Sequence, residues 1–163
     1  MIDLKKNTDR IHLSMDADLN PKTVPLKKVS DGYGGKPKGL WYSFGDLWLE
    51  KNQEDKIKDY SHCYRLEVDL DSVLMISKPE MLNTFIKQFQ RPAGEAGQAQ
   101  FEPWAVTGLI DWNRVAKHYS GIEFPELFGT GALWYKGLFV PSGCIWDVSV
   151  IRSIRAISNW TES

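Results

Sequence analysis

Apolar residues in this chain come in short runs, and the longest uninterrupted aliphatic stretch is of the size of Val73-Leu74-Met75-Ile76. A helix that crosses a membrane needs about 20 such residues in a row, so the sequence predicts none. Short apolar runs bounded by turn-forming residues suit strands. Arg10-Ile11-His12-Leu13-Ser14 alternates polar with apolar and predicts a strand that turns Ile11 and Leu13 inward. Further strands are expected at 39–43, 63–70, 73–76, 122–124, 133–140, 144–147 and 150–157, with a turn at Asp71-Ser72. The helical period is clearest at Leu82, Phe85, Ile86 and Phe89, which recur on one face. Ser77 and Glu80 stand at capping-box spacing before it, and Pro79 is tolerated in a first turn whose amides have no intrahelical partner. A second helix is expected from the cap Asp46 towards Lys58. A third starts at the cap Asp111, buries Trp112, Val115, Ala116 and Tyr119, and ends at Gly121. Strands and helices without regular alternation predict a mixed α+β domain with about three helices.

Two stretches interrupt this pattern. Residues 16–38 carry Pro21, Pro25, Gly32, Gly34, Gly35 and Pro37, and residues 91–103 carry Pro92, Gly94, Gly97 and Pro103. Both read as long loops, which in small domains often form lids or binding segments. No linker separates the elements, so residues 1–163 are expected to form one domain. A chain of this size buries roughly 70% of its unfolded surface and folds without metal or disulfide. Cys63 and Cys144 lie in apolar runs, where a thiol packs as a small hydrophobe. The 20 Lys and Arg nearly balance the 21 Asp and Glu, for a formal charge of −1, which argues against a nucleic-acid coat. The first residues, Met1-Ile2-Asp3-Leu4-Lys5-Lys6, hold no apolar signal region, so a cytoplasmic location is expected.

Several familiar motifs fail on inspection. Gly32-Tyr33-Gly34-Gly35-Lys36-Pro37 follows no strand and lacks the Ser or Thr that a phosphate loop places after its lysine. His12, His62 and His118 have no metal-ligand spacing with the cysteines, so no metal site is expected. Aromatic residues make up 12% of the chain and include seven Trp. Core packing accounts for most large rings; a planar ligand is the alternative for some.

The remaining signal is a set of segments in fixed order: His12-Leu13-Ser14, then Lys36-Pro37-Lys38-Gly39-Leu40-Trp41-Tyr42-Ser43, Ile110-Asp111-Trp112, Tyr119-Ser120-Gly121-Ile122-Glu123, and Ser142-Gly143-Cys144-Ile145-Trp146-Asp147. In this order the chain resembles the ADP-ribosyltransferase superfamily, in the branch with a histidine on the first strand and an aromatic on the second. It is similar in particular to small phage and bacterial proteins of that fold. The resemblance implies two small antiparallel sheets around an NAD-binding cleft, with the two loops at its rim. It implies transfer of ADP-ribose from NAD to a macromolecular acceptor, protein or nucleic acid, in the cytoplasm, or in the host's cytoplasm for a phage protein active in phage–bacterium conflict. A catalytically inactive interaction protein on the same fold, or an aromatic-rich module for sugars or bases, is the alternative.

On that resemblance His12 contacts a ribose hydroxyl or the carboxamide, and Ser14 or Ser43 adds a polar contact. Trp41 holds the flat, cationic nicotinamide by stacking, worth roughly 0.5–2 kcal/mol. Trp41 and Ser43 share a strand face that Tyr42 does not, which favours Trp41 with Ser43 as the ligand pair; the alternative leaves Trp41 in the core and turns Tyr42 outward. Departure of nicotinamide builds positive charge at the ribose, and a carboxylate there stabilises it. The superfamily places that Glu or Gln on a late strand, where this chain has Ser142. Glu123, between Ile122 and Phe124, is the expected substitute unless it is an edge-strand residue facing water. Asp147 is the second candidate, with capping of the following turn as its other explanation.

Overall fold

The strand-like runs become strands because each finds a partner, on both sides for the five inner strands and on one for the two at the edges. The computed structural model describes residues 9–14, 19, 36–48, 62–91, 110–128, 138 and 140–157. Its strands are β1 (Arg10–Ser14), β2 (Leu40–Phe44), β3 (His62–Val68), β4 (Val73–Met75), β5 (Gly121–Phe124), β6 (Ser142–Ile145) and β7 (Ile151–Ile157). They form one seven-stranded sheet in the order β4-β5-β6-β2-β1-β3-β7. The β4–β5 pair is parallel and the other neighbours are antiparallel.

The expected pair of separate sheets is therefore corrected to a single sheet. The reason lies in β2, which pairs with β6 along one edge and with β1 along the other. The join between β1 and β2 is brief: only Arg10↔Phe44 and Ile11↔Ser43 are paired. By contrast β1 pairs with β3 at every position from Arg10 to Ser14.

The described residues hold two α-helices rather than three. These are α1 (Pro79–Phe89) and α2 (Trp112–Ala116). Of the helix expected from Asp46 to Lys58, only its start is described, with Leu47 and Trp48 helical after the turn at Gly45. Gly45 has φ 58°, a left-handed conformation that a residue without Cβ adopts freely. The strand expected at 133–140 and most of both long loops lie outside the described residues.

Each helix end has a local cause. Asp111 caps α2 as expected, its carboxylate accepting from the Arg114 amide at 3.2 Å. The capping box at Ser77 does not form. Pro79 is the first helical residue and holds Lys78 extended (φ −141°, ψ 149°), so Lys78 is the N-cap and has no side-chain cap bond. Ser77, one residue further out, donates instead towards the Met81 sulfur at 3.6 Å. Gly121 does not end a helix but opens β5.

The helices cover one face of the sheet over β4, β5, β6 and β2. Leu82, Phe85, Phe89, Trp112 and Val115 pack there against Ile122, Phe124, Cys144 and Trp146, with Trp41 and Leu74 at the margin. The opposite face carries a second core of Leu40, Tyr42, Phe44, Tyr64, Leu66, Ile145 and Ile151. Strand alternation alone separates the two sets. The first face continues across β1 and β3 as a smaller cluster of Ile11, Leu13 and Cys63.

Candidate functional site

The polar centre of the molecule lies on the face away from the helices. Tyr42 on β2 and Glu123 on β5 are both in register with Gly143 on β6, the strand between them. A side chain at Gly143 would block their approach, since a Cβ built there falls 2.5 Å from Tyr42 Cε2 and 2.6 Å from its hydroxyl oxygen. With hydrogen at that position, Tyr42 lies across the backbone of β6 and donates to Glu123 Oε1 at 2.7 Å. Arg10, on β1, reaches the same carboxylate from the far side of β2, with Nε 2.5 Å from Oε1 and Nη2 3.3 Å from Oε2. Its guanidinium also lies 5.8 Å from the centre of the Phe44 ring. The three residues thus form a network over four adjacent strands.

Burial makes this network energetically consequential. Glu123 is only 1% exposed, and the Arg10 side chain 19%. A carboxylate this buried is retained only with its charge matched and its oxygens hydrogen-bonded. Burial, followed by the neighbouring charge of Glu123, raises the Tyr42 hydroxyl far above the usual tyrosine range, and Arg10 opposes the shift only in part. Burial by itself would lower the Arg10 pKa, but the hydrogen bond and charge of Glu123 outweigh it and the net shift is upward. Arg10 therefore stays a guanidinium and Tyr42 a neutral phenol across the physiological range. The water-facing edge position that would have explained Glu123 does not apply, because β5 is an internal strand.

His12 lies on β1 two residues from Arg10, on the same strand face and just past the last β1–β2 pair. Where the ladder stops, its Nδ1 lies 2.5 Å from the Trp41 carbonyl oxygen. A carbonyl only accepts, so the proton is on Nδ1, and in the neutral ring Nε2 is an acceptor. The half-buried imidazole thus sits where the paired part of β1 and β2 ends.

The other expected ligand residues fall elsewhere. Trp41 and Ser43 share a face, as alternation predicts, but it is the helix-covered face, opposite His12 and Tyr42. Trp41 is half-buried, donates through Nε1 to the Pro37 carbonyl at 3.2 Å, and has the Lys36 ammonium 5.9 Å from its ring centre. Ser43 is fully buried and donates to the Pro141 carbonyl at 2.7 Å. Ser14 is buried at the end of β1. Tyr42, set aside by the sequence argument in favour of Trp41, is the aromatic that shares a face with His12 and Glu123. Asp147 caps a single 3-10 turn (Val148–Val150), accepting from the Ser149 amide at 3.0 Å and its hydroxyl at 2.7 Å. Ser142 donates to the Val140 carbonyl at 2.8 Å.

Sequence reasoning missed Arg10 and Gly143. Arg10 had a signal, since it alternates with the inward residues Ile11 and Leu13 and so shares a face with His12. Gly143 had none, because its role depends on which strands flank β6. No cluster of three or more His, Cys, Asp or Glu suited to a metal exists among the described residues, and no described helix is long and apolar enough to cross a membrane. Comparison with family models, curated proteins and solved structures gives no match in any of the three.

Proposed function

We propose that this chain binds NAD beside His12, where the β1–β2 ladder ends, and transfers its ADP-ribose to a macromolecular acceptor. The observation that carries the reading is the convergence of His12, Tyr42, Arg10 and Glu123 on one sheet face, beside a β1–β2 ladder that pairs only two positions. The sequence resemblance points the same way through the order of its segments.

In this reading His12 accepts a ribose hydroxyl through Nε2, a polarity consistent with Nδ1 donating to Trp41. Arg10, the more exposed member of the network, is the cation available to a pyrophosphate. Trp41 lies on the opposite face, its ring against Lys36 and the helix-side core, and leaves the ligand to His12 and Tyr42. Tyr42 frames the site from within, while Ser43, on the opposite face, holds β2 through its bond to the Pro141 carbonyl. In the transfer the bond from ribose to nicotinamide breaks, a bond from ribose to an acceptor oxygen or nitrogen forms, and the acceptor loses a proton. Glu123 supplies negative charge to the developing cation when the nucleotide draws Arg10 towards its phosphates. Such electrostatic help is felt mainly in the transition state.

The test is mass-spectrometric detection of transferred ADP-ribose after incubation with NAD and cell lysate. Titration with NAD is followed in parallel by tryptophan fluorescence. Glu123→Gln is expected to lower transfer by at least ~100-fold with little change in NAD affinity, and Asp147→Asn to remain active. An active Glu123→Gln with an inactive Asp147→Asn would move the carboxylate role to the late strand. A second reading, an interaction protein on the same fold without turnover, is favoured by one observation: both Glu123 oxygens are already engaged. NAD binding without transfer in any lysate fraction, or no binding at millimolar NAD, would support that reading against the first.

A further inference from the structure

On the opposite side of the sheet, a groove runs between α1 and the edge strand β4. It encloses about 340 Å³, within the range of small-molecule sites. Its floor is Leu74, Ile76, Phe85 and Phe89, and Tyr119 closes one wall. Along the other wall α1 presents Glu80, Thr84 and Gln88, spaced four residues apart and so stacked in one row about 12 Å long. All three are exposed. Among the described residues Glu80 is the only charged one that lines the groove, and it makes no ion pair with any of the others. A cation stands beyond the far end, outside the lining. Arg114 donates to the Gln88 carbonyl at 3.1 Å and lies 5.7 Å from the Phe89 ring centre.

We propose that this groove binds a free small amphiphilic amine, with its ammonium at Glu80 and its apolar body against Phe85 and Phe89. The charge pattern selects the ligand and its direction. Among the described lining residues the Glu80 carboxylate carries the charge, so a cation is attracted into the groove and an anion repelled, while Arg114 stands beyond the lining, on the Gln88 carbonyl and the Phe89 ring. The aromatic walls favour a ligand with a flat or alkyl body and tolerate the ammonium better than a carboxylate. The site is independent of the nucleotide reading, because it lies on the helix-covered face. Failure of either leaves the other standing.

The test uses the full chain labelled at its methionine methyl groups. Met81 lines the groove, and Met75, on the other face of β4, serves as an internal control. 4-Phenylbutylamine is titrated as the probe and 4-phenylbutyrate as its charge-reversed counterpart. Saturable movement of the Met81 signal with the amine, in the roughly millimolar range expected for a ligand of this size, is the supporting result. The butyrate and the Glu80→Gln variant should each bind about five-fold more weakly. Thr84→Trp, at an exposed helical position, should fill the groove and abolish the shift without loss of folding. Equal binding of amine and butyrate, insensitivity to both substitutions, or no saturation overturns the proposal. So does movement of Met81 with protein concentration alone, which would mean that a second copy of the chain covers the groove.

Discussion

Replacing Glu123 by Gln keeps the size of the side chain and removes its charge, which isolates what the Arg10–Glu123–Tyr42 network contributes to stability. Glu123 Oε1 accepts two short bonds, from Arg10 at 2.5 Å and Tyr42 at 2.7 Å. Hydrogen bonds to an ionised group are worth about 1.5–3 kcal/mol against about 0.5–1.5 for neutral ones, so losing the charge on two bonds costs roughly 2–3 kcal/mol. The amide NH2 adds a donor facing the Arg10 donors. Removal of one partner from a fully buried ion pair costs about 3–5 kcal/mol, but Arg10 retains partial access to water, so the lower end applies. A loss of about 3 kcal/mol follows, or about 6–12 °C in Tm for a chain of this length. The assay is urea and thermal unfolding at pH 7 of Glu123→Gln, Arg10→Met and the double variant. Because either single change leaves the other residue mismatched, the double variant should be more stable than the sum of the singles by at least ~1.5 kcal/mol. A cost below about 1 kcal/mol for Glu123→Gln, or additivity within ~0.5 kcal/mol, would refute the account of a coupled buried network.

Gly143→Ala should cost roughly 2–4 kcal/mol in urea unfolding, because the new methyl displaces Tyr42 and lengthens its bond to Glu123; an unchanged midpoint would mean that Tyr42 does not lie across β6. Burial raises the folded-state pKa of Tyr42 above its unfolded value of about 10. The stability this confers is complete below pH ~10 and is lost as pH rises beyond it, because the unfolded chain releases the proton first. Tyr42→Phe should therefore flatten the alkaline limb of a Tm-against-pH curve. Cys63, with a thiol pushed up by burial to about 11, contributes to the same limb, and Cys63→Ala should leave a shallower one. Asp111→Ala removes the α2 cap and should cost about 1 kcal/mol, read from the urea midpoint.

Local chemistry was legible wherever short-range geometry decides it. The alternation of Arg10-Ile11-His12-Leu13-Ser14 predicts β1 with Ile11 and Leu13 buried, and both are. The apolar row on 79–89 predicts α1, and Asp111 and Asp147 cap as their positions suggest. These outcomes depend on a residue and its near neighbours in sequence, which is all that periodicity and capping require. Even here Pro79 overrode the Ser77 box, through a backbone restriction that the spacing rule does not contain.

Tertiary pairing decided what the sequence could not. Alternation shows that Trp41 and Tyr42 point opposite ways, but which of them shares a face with His12 depends on the register of β1 against β2, and that is a long-range choice. The same pairing made one sheet where two were expected, because β2 bonds to strands from both ends of the chain. The burial of Glu123 followed from β5 lying between β4 and β6, and its match with Arg10, 113 residues away, from four strands converging on a glycine. A single sequence states which faces each segment has. Only packing states which of those faces meet, because burying a charge is tolerable solely where the fold delivers its partner.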